Sequence, residues 1–299
     1  MTLSVLTLVR NRQAHLDQLV EGLRRSGQRP DELVVADMSD APVVVAETDF
    51  PIRIVRMETK DLALAAARNR AAEAASSARL LFLDVDCIPL GACIERIDDE
   101  LARQDALFCA EIRYLGPGDA APGWTEAKLL ATAQSHPTRS FPTDGLRRES
   151  NPGLFWSLGF AIRRSTFAAM GGFDEAFVGY GAEDTDFGFR TADAGLPLLF
   201  VGGAIACHQY HDSHDPPVQH LADIVRNARR FHRLRGWWPM EGWLGAFRDM
   251  GLVNWSATSL DTLRQPTAQE IAATLVRNPG RRDTTPAADR AGDRIVDPA

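Results

Sequence analysis

Residues 80–86, Leu80-Leu81-Phe82-Leu83-Asp84-Val85-Asp86, pass from four consecutive apolar side chains directly into two carboxylates one residue apart. A short apolar run without polar alternation suits a strand buried on both faces. The same pattern stands earlier in the chain. Leu3-Ser4-Val5-Leu6-Thr7-Leu8-Val9 reads as one such strand, and Leu33-Val34-Val35-Ala36 as another that ends at Asp37. Between them Leu16, Leu19, Val20 and Leu23 recur at the spacing of one helical face, until Gly27 and Pro30 break it. Ile52-Arg53-Ile54-Val55 predicts a further short strand, and the alanine-rich stretch 62–76 a helix leading into the run at 80. Strands alternating with helices predict an α/β fold: a mainly parallel sheet with helices on both faces and ligands beyond the carboxyl ends of the strands. On that rule Asp37, Asp84 and Asp86 converge on one cleft edge.

The second half is less regular. A strand is expected near 106–112, a Gly/Pro-rich loop at 116–123, and a flexible polar segment at 136–152, with Pro137, Pro142, Gly145 and Pro152, placed to act as a lid. Residues 154–162 predict a strand, 184–194 a helix starting in acids, and 196–207 one or two short strands. After Pro216-Pro217, Val218, Leu221, Val225 and Ala228 mark one face of a helix. From about residue 279 an aperiodic Arg, Asp, Pro, Thr and Ala composition predicts disorder.

With 299 residues, 45% of them hydrophobic and 24% charged, the chain can bury a substantial core in one large or two modest domains. Its net charge of −7 argues against a nucleic-acid partner, so an anionic ligand needs a local basic pocket or a bridging metal. No apolar run approaches the ~18 residues of a membrane span. Met1-Thr2-Leu3-Ser4-Val5 runs into a strand pattern and not a signal peptide, so a soluble cytoplasmic protein is expected. Cys87, Cys93, Cys109 and Cys207 form no Cys-x-x-Cys pair and read as reduced core thiols.

Three segments carry chemistry. The Asp84-Val85-Asp86 pair suits a hard divalent ion shared with phosphate oxygens, although such a pair also commonly closes a strand or caps a turn. In Gly179-Tyr180-Gly181-Ala182-Glu183-Asp184-Thr185-Asp186, helix capping explains one or two of the three acids. The flanking glycines suggest a tight turn that exposes Glu183 and Asp184 to a pocket, where a carboxylate accepts a proton from a substrate hydroxyl. The run Cys207-His208-Gln209-Tyr210-His211-Asp212-Ser213-His214-Asp215 holds three of the seven histidines, and one imidazole added to a carboxylate suits Mn²⁺.

Val34-Val35-Ala36-Asp37-Met38-Ser39-Asp40, Ala67-Arg68-Asn69-Arg70, Asp84-Val85-Asp86, Gly171-Gly172-Phe173-Asp174-Glu175 and Gly181-Ala182-Glu183-Asp184 follow the order seen in family 2 glycosyltransferases, which the chain resembles over roughly residues 2–215. The later half also resembles the galactosyltransferase-type carboxyl-terminal region of β-1,4-galactosyltransferases and bacterial chondroitin polymerases. The resemblance implies a GT-A fold, a Rossmann-like mixed sheet flanked by helices, over 1–215. A helical extension over 216–262 and a short helix with a disordered tail over 263–299 are expected to follow. It implies an inverting glycosyltransferase that takes a nucleotide-diphospho-sugar donor, a UDP-sugar, and a hydroxyl acceptor such as a glycan, with Mn²⁺ or Mg²⁺ as cofactor, in cell-surface glycan synthesis. Carried over by position, Thr7, Arg10 and Asp37 face the nucleoside, Arg68 its base and phosphate side, and Asp84 the ribose or metal. Asp86 is the direct metal ligand, with His208 the first choice of histidine, His211 the second and His214 the third. Asp184 is the catalytic base and Glu183 its acceptor-binding neighbour. Met38 replaces the glycine usual after the first of these acids. The tryptophans 237, 238 and 243 either stack on sugar or anchor a carboxyl-terminal helix. A sugar-nucleotide nucleotidyltransferase is the enzymatic alternative, but Val9-Arg10-Asn11-Arg12 stands where its Gly-rich phosphate loop belongs. A non-catalytic nucleotide- or glycan-binding module is the other, but no catalytic part is missing.

Overall fold

A computed structural model of the chain describes residues 3–276. All seven residues of the first strand, β1 (Leu3–Val9), are buried, Ser4 and Thr7 included, as expected of a largely apolar strand covered on both faces. The chain returns through α1 (Gln13–Arg25), whose Leu16, Leu19, Val20 and Leu23 are buried, to β2 (Glu32–Asp37), parallel to β1 with Val9 opposite Asp37. β3 (Ile52–Arg56) extends the parallel sheet beyond β2. The alanine-rich helix α2 (Leu64–Ala74) then leads to β4 (Arg79–Leu83), which lies on the other side of β1. These four strands are parallel, so Asp37 and Asp84 come out on the same sheet edge.

Beyond β4 the sheet becomes mixed. After β5 (Cys87–Pro89), α3 (Cys93–Arg103) and β6 (Leu107–Tyr114), the chain forms α4 (Glu126–Thr132), β7 (Gln134–Ser135) and β8 (Leu146–Glu149). It continues through β9 (Gly159–Arg163), α5 (Arg164–Ala169), α6 (Glu183–Asp193) and β10 (Leu198–His208). The strand order is β3-β2-β1-β4-β9-β6-β10-β5, with β9 antiparallel between β4 and β6 and β10 parallel to β6. β10 is one bent strand, where one or two short ones were expected. Its early residues pair with β8 and its last three with β5, and the register with β6 shifts between Phe200 and Ile205. Gly202 and Gly203 permit that bend: a Cβ on Gly202 would lie 2.6 Å from the backbone of Asp144, and Gly203 has a φ of 73°.

Helices cover both faces. One apolar cluster joins the buried sides of α1 and α3 to the sheet, and another joins α2 to Phe155, Phe160, Phe173 and Phe187. α3 and α4 were not among the expected elements, although Cys93, Ile94, Ile97 and Leu101 of α3 form an ordinary amphipathic stripe. The segment expected to be a flexible lid is partly built into the sheet. Residues 146–149 pair with β10, Phe141 stacks on Phe200 at 4.3 Å, and Arg139 is buried against the rings of Trp156, Phe200 and Phe141.

The strands and helices above form one compact unit, comprising residues up to Gly179 and Glu183–His211. A second takes Tyr180–Ala182 and the described residues from Asp212 onward. In the second, β11 (Ser213–His214) precedes α7 (Leu221–Arg235) and α8 (Glu241–Asp249). The hairpin of β12 (Val253–Trp255) with β13 (Leu260–Thr262) follows, then α9 (Ala268–Ala273) and β14 (Leu275–Val276), which pairs with β11. Trp238 is buried in this unit's own core and its indole donates to the Ala257 carbonyl, while Trp243 packs against the same cluster. The amide of Asn227 on α7 donates to the Gly181 carbonyl at 2.9 Å, which ties 180–182 to this unit. The tail expected to be disordered from about residue 279 lies outside the described residues. Among the described residues no helix is long and apolar enough to cross a membrane.

Candidate active site

The site grows from the turn that follows β4. The Asp84 amide donates to the Leu158 carbonyl, and the Cys87 amide returns to the Asp84 carbonyl at 2.8 Å, closing a tight turn through Asp84-Val85-Asp86. The two carboxylates have different partners. Asp84 meets Arg68 of α2, with Oδ1 3.2 Å from Nη2. Asp86 belongs to a second cluster, assembled by the antiparallel pairing of β5 with β10.

That pairing sets Cys87 opposite His208, and the ladder continues as the Gln209 amide donates to the Asp86 carbonyl at 2.7 Å. It brings His208 Nε2 to 3.5 Å from Asp86 Oδ1 and His211 Nε2 to 3.4 Å from Oδ2. One ligand atom from each of Asp86, His208 and His211 lies within 4.8 Å of the others, so the trio could hold a metal ion. Burial opposes ionisation of Asp86, but His208, His211 and Arg12 outweigh it and hold the carboxyl well below the usual range. Burial lowers the pKa of His208 despite the nearby Asp86, and the neutral imidazole is the form that ligates. A carboxylate with two imidazoles suits a first-row divalent cation better than Mg²⁺, which prefers an all-oxygen shell. His214 lies elsewhere: its Nδ1 is 3.1 Å from the Thr274 hydroxyl, on β11.

The second acidic group opens α6. Gly179, Gly181 and Ala182 all have positive φ, 78°, 94° and 72°, and so form a tight turn of the kind expected. Glu183 is buried, not exposed to a pocket as expected, with Oε1 3.2 Å from Arg68 Nη1. Arg68 therefore bridges Glu183 and Asp84. It is 3% exposed, and its guanidinium lies 5.2 Å from the centre of the Phe173 ring. Asp184 is half-buried, and its Oδ1 accepts from the Thr185 amide at 2.7 Å. Burial raises Glu183 to about 7, with Asp184 adding and Arg68 opposing. Burial likewise raises Asp184 against Arg68, and lifts Asp84 to about 6. Asp186 pairs with Arg190 at 2.8 Å within the helix.

The residues expected at the nucleoside end stand in three arrangements. Thr7 is buried within β1, and its hydroxyl has no hydrogen-bond partner among the described residues. Arg10 donates to the Lys60 carbonyl at 2.9 Å. Asp37 is fully enclosed and accepts from the Ser39 and Val43 amides and from Arg56 Nη1, which hold it below its usual value although burial opposes them. Met38 follows with a buried side chain and no positive φ among the described backbone.

Sequence reasoning overlooked four residues. Arg12 lies 2.7 Å from Asp86 Oδ2, the Gln209 side chain donates to the His15 carbonyl, and the Tyr114 ring lies 5.2 Å from His208. Asn69 grips the Gly-Gly-Phe-Asp-Glu segment, donating to the Phe173 carbonyl and accepting from the Phe173 amide at 2.8 Å. Asn69 stood inside a quoted motif and Arg12 inside a quoted loop, but neither position names its partner.

The profile of glycosyl transferase family 2 matches residues 4–170, more than half of the chain. That of the N-terminal domain of galactosyltransferase matches 148–212. The chain is 29% identical to validoxylamine A glucosyltransferase of Streptomyces hygroscopicus subsp. limoneus, over 77% of this chain and 56% of the relative. It is 38% identical to the N-acetylglucosaminyl-diphospho-decaprenol L-rhamnosyltransferase of Mycobacterium tuberculosis over 26% of each. It spans little more than half the length of the glucosyltransferases it matches. Among solved structures, that of GalNAc-T7 with UDP, GalNAc and Mn²⁺ superposes with a TM-score of 0.54 at 18% identity, covering 70% of this chain and 43% of the other.

Proposed function

The chain belongs to glycosyl transferase family 2 and has the GT-A fold, and from that premise we propose that it is an inverting, metal-dependent glycosyltransferase. It moves a hexosyl group from a nucleotide-diphospho-sugar, a UDP-sugar, to an acceptor hydroxyl. The observation that carries this is the juxtaposition, in one unit, of the Asp86-His208-His211 trio with the Arg68-bridged acids Asp84, Glu183 and Asp184.

Asp86, His208 and His211 are the residues that would hold Mn²⁺. When bound, a divalent cation supplies positive charge to a diphosphate leaving group. Asp84, on the same turn, faces the donor side, and Thr7, Arg10 and Asp37 lie toward the nucleoside. Asp37 contributes by holding the 38–43 loop in shape through its two amide contacts. Asp184 accepts the proton of the acceptor hydroxyl, because its raised pKa brings a carboxylate closer to the working pH of a general base. One base is sufficient when the hydroxyl attacks the face opposite the leaving group, so configuration inverts without a covalent sugar-enzyme intermediate. Arg68 keeps Asp84 and Glu183 on either side of one guanidinium.

The test is a screen of nucleotide-sugars for Mn²⁺-dependent binding to the chain and to Asp86→Ala. Saturable binding of a donor, lost in the mutant and in chelator, is the expected result. Undiminished binding in the mutant with chelator present would overturn the metal assignment.

A further inference from the structure

Besides the two histidines, Asp86 is paired with Arg12. Nη1 of Arg12 lies 2.7 Å from Oδ2, the oxygen that His211 Nε2 faces at 3.4 Å. The Arg12 side chain is 36% exposed and that of Asp86 only 9%, so the guanidinium covers the carboxylate from the solvent side. The backbone beneath it is pinned. Asn11, with a φ of 55°, exchanges hydrogen bonds with Asp40 and donates its amide to the Ser39 hydroxyl, while the Arg12 carbonyl accepts from Leu16 as α1 begins. From that backbone the arginine side chain, 36% exposed, reaches Asp86.

We propose that Arg12 is a positioning residue that occupies the metal carboxylate of the cation-free chain and leaves it when a divalent cation enters, so that its charge sets the metal affinity of the site. This rests on Asp86, His208 and His211 being the ligands. A buried carboxylate needs a compensating cation, and the Arg12 guanidinium, 2.7 Å from Oδ2, supplies one. A guanidinium and a divalent ion at the same oxygen repel each other, and a side chain one-third exposed escapes into water on its flexible stem. An arginine that merely braced the ligand carboxylate would have the opposite effect, because removing an outer partner weakens metal binding.

The experiment titrates Mn²⁺ into the full chain without nucleotide, following the paramagnetic resonance signal of free Mn²⁺. Arg12→Gln is expected to tighten binding by about fivefold or more. Arg12→Lys, which keeps the charge, is expected to remain within about twofold of the unchanged chain. His208→Ala is expected to abolish binding, which locates the site. Equal or weaker binding by Arg12→Gln, with His208→Ala still abolishing it, overturns the role of Arg12 and leaves the metal site standing. Absence of saturable binding in both the unchanged chain and Arg12→Gln overturns both.

Discussion

Arg68 has two carboxylates on one guanidinium, and Asp184 beyond them is the proposed base. Asp184→Asn is nearly isosteric but cannot take a hydroxyl proton, so donor and metal binding should persist while transfer falls by ~10²–10⁴. Calorimetric titration beside a transfer assay checks this, and near-normal turnover would move the base role to Glu183. Glu183 itself makes a prediction about pH. Its carboxyl holds its proton up to about 7 in the folded chain, against 4.5 as the ordinary value. Its contribution to stability is therefore complete below the lower value and is lost as pH rises through the higher one. Denaturant unfolding at pH 5 and pH 8 should show the unchanged chain losing stability relative to Glu183→Gln between the two. A constant difference would mean that Glu183 titrates in the fold as it does in the open chain. At this scale the acids were legible, because a carboxylate after an apolar run is conspicuous. Their partners were not, since Arg12 and Asp86 stand 74 positions apart and Arg68 and Glu183 stand 115.

The segment Gly171–Glu175 shows how a motif becomes a piece of architecture. Gly172 has a φ of 64°, and a Cβ there would lie 2.5 Å from Asn69 Oδ1, the atom that accepts from the Phe173 amide. Gly171 also has a positive φ, 73°, but open space around it. Gly171→Ala should therefore cost about 1–2 kcal/mol, the strain of the left-handed backbone alone. Gly172→Ala adds the loss of the Asn69 clamp, for a total of about 2–4 kcal/mol. Urea unfolding of the two variants measures the difference, and equal costs would show that Asn69 yields freely. Among elements, β1, β2, β4 and α1 were legible because their apolar spacing records one environment per face. β8 was not: Leu146-Arg147-Arg148-Glu149 has a single apolar residue and becomes a strand through its pairing with β10.

Over the whole molecule, a cation held by the proposed ligands Asp86, His208 and His211 would couple its binding to folding, because the end of β10 and the turn after β4 meet only in the folded chain. Mn²⁺ at one hundred times its dissociation constant should stabilise the protein by about 2.7 kcal/mol, a rise of several degrees in Tm. The His208→Ala, His211→Ala double variant should lose that rise in a thermal scan. A shift that survives would place the bound ion elsewhere.

The amino-acid sequence alone determined the α/β alternation, the strand ends at Asp37 and Asp84, and the histidine-bearing segment at the end of β10. These are written in local periodicity, because burial is decided face by face over a few residues. Tertiary structure alone decided which histidines share a site. The antiparallel register of β5 on β10, with Cys87 opposite His208, gathers His208 and His211 at Asp86, while β11 carries His214 to Thr274. It alone also enclosed Asp37 and Glu183, and set Arg12 on the Asp86 carboxylate and Arg68 between two acids. A register couples residues far apart in the chain through backbone hydrogen bonds that every residue type can make, so side-chain identity along the sequence carries no direct record of it.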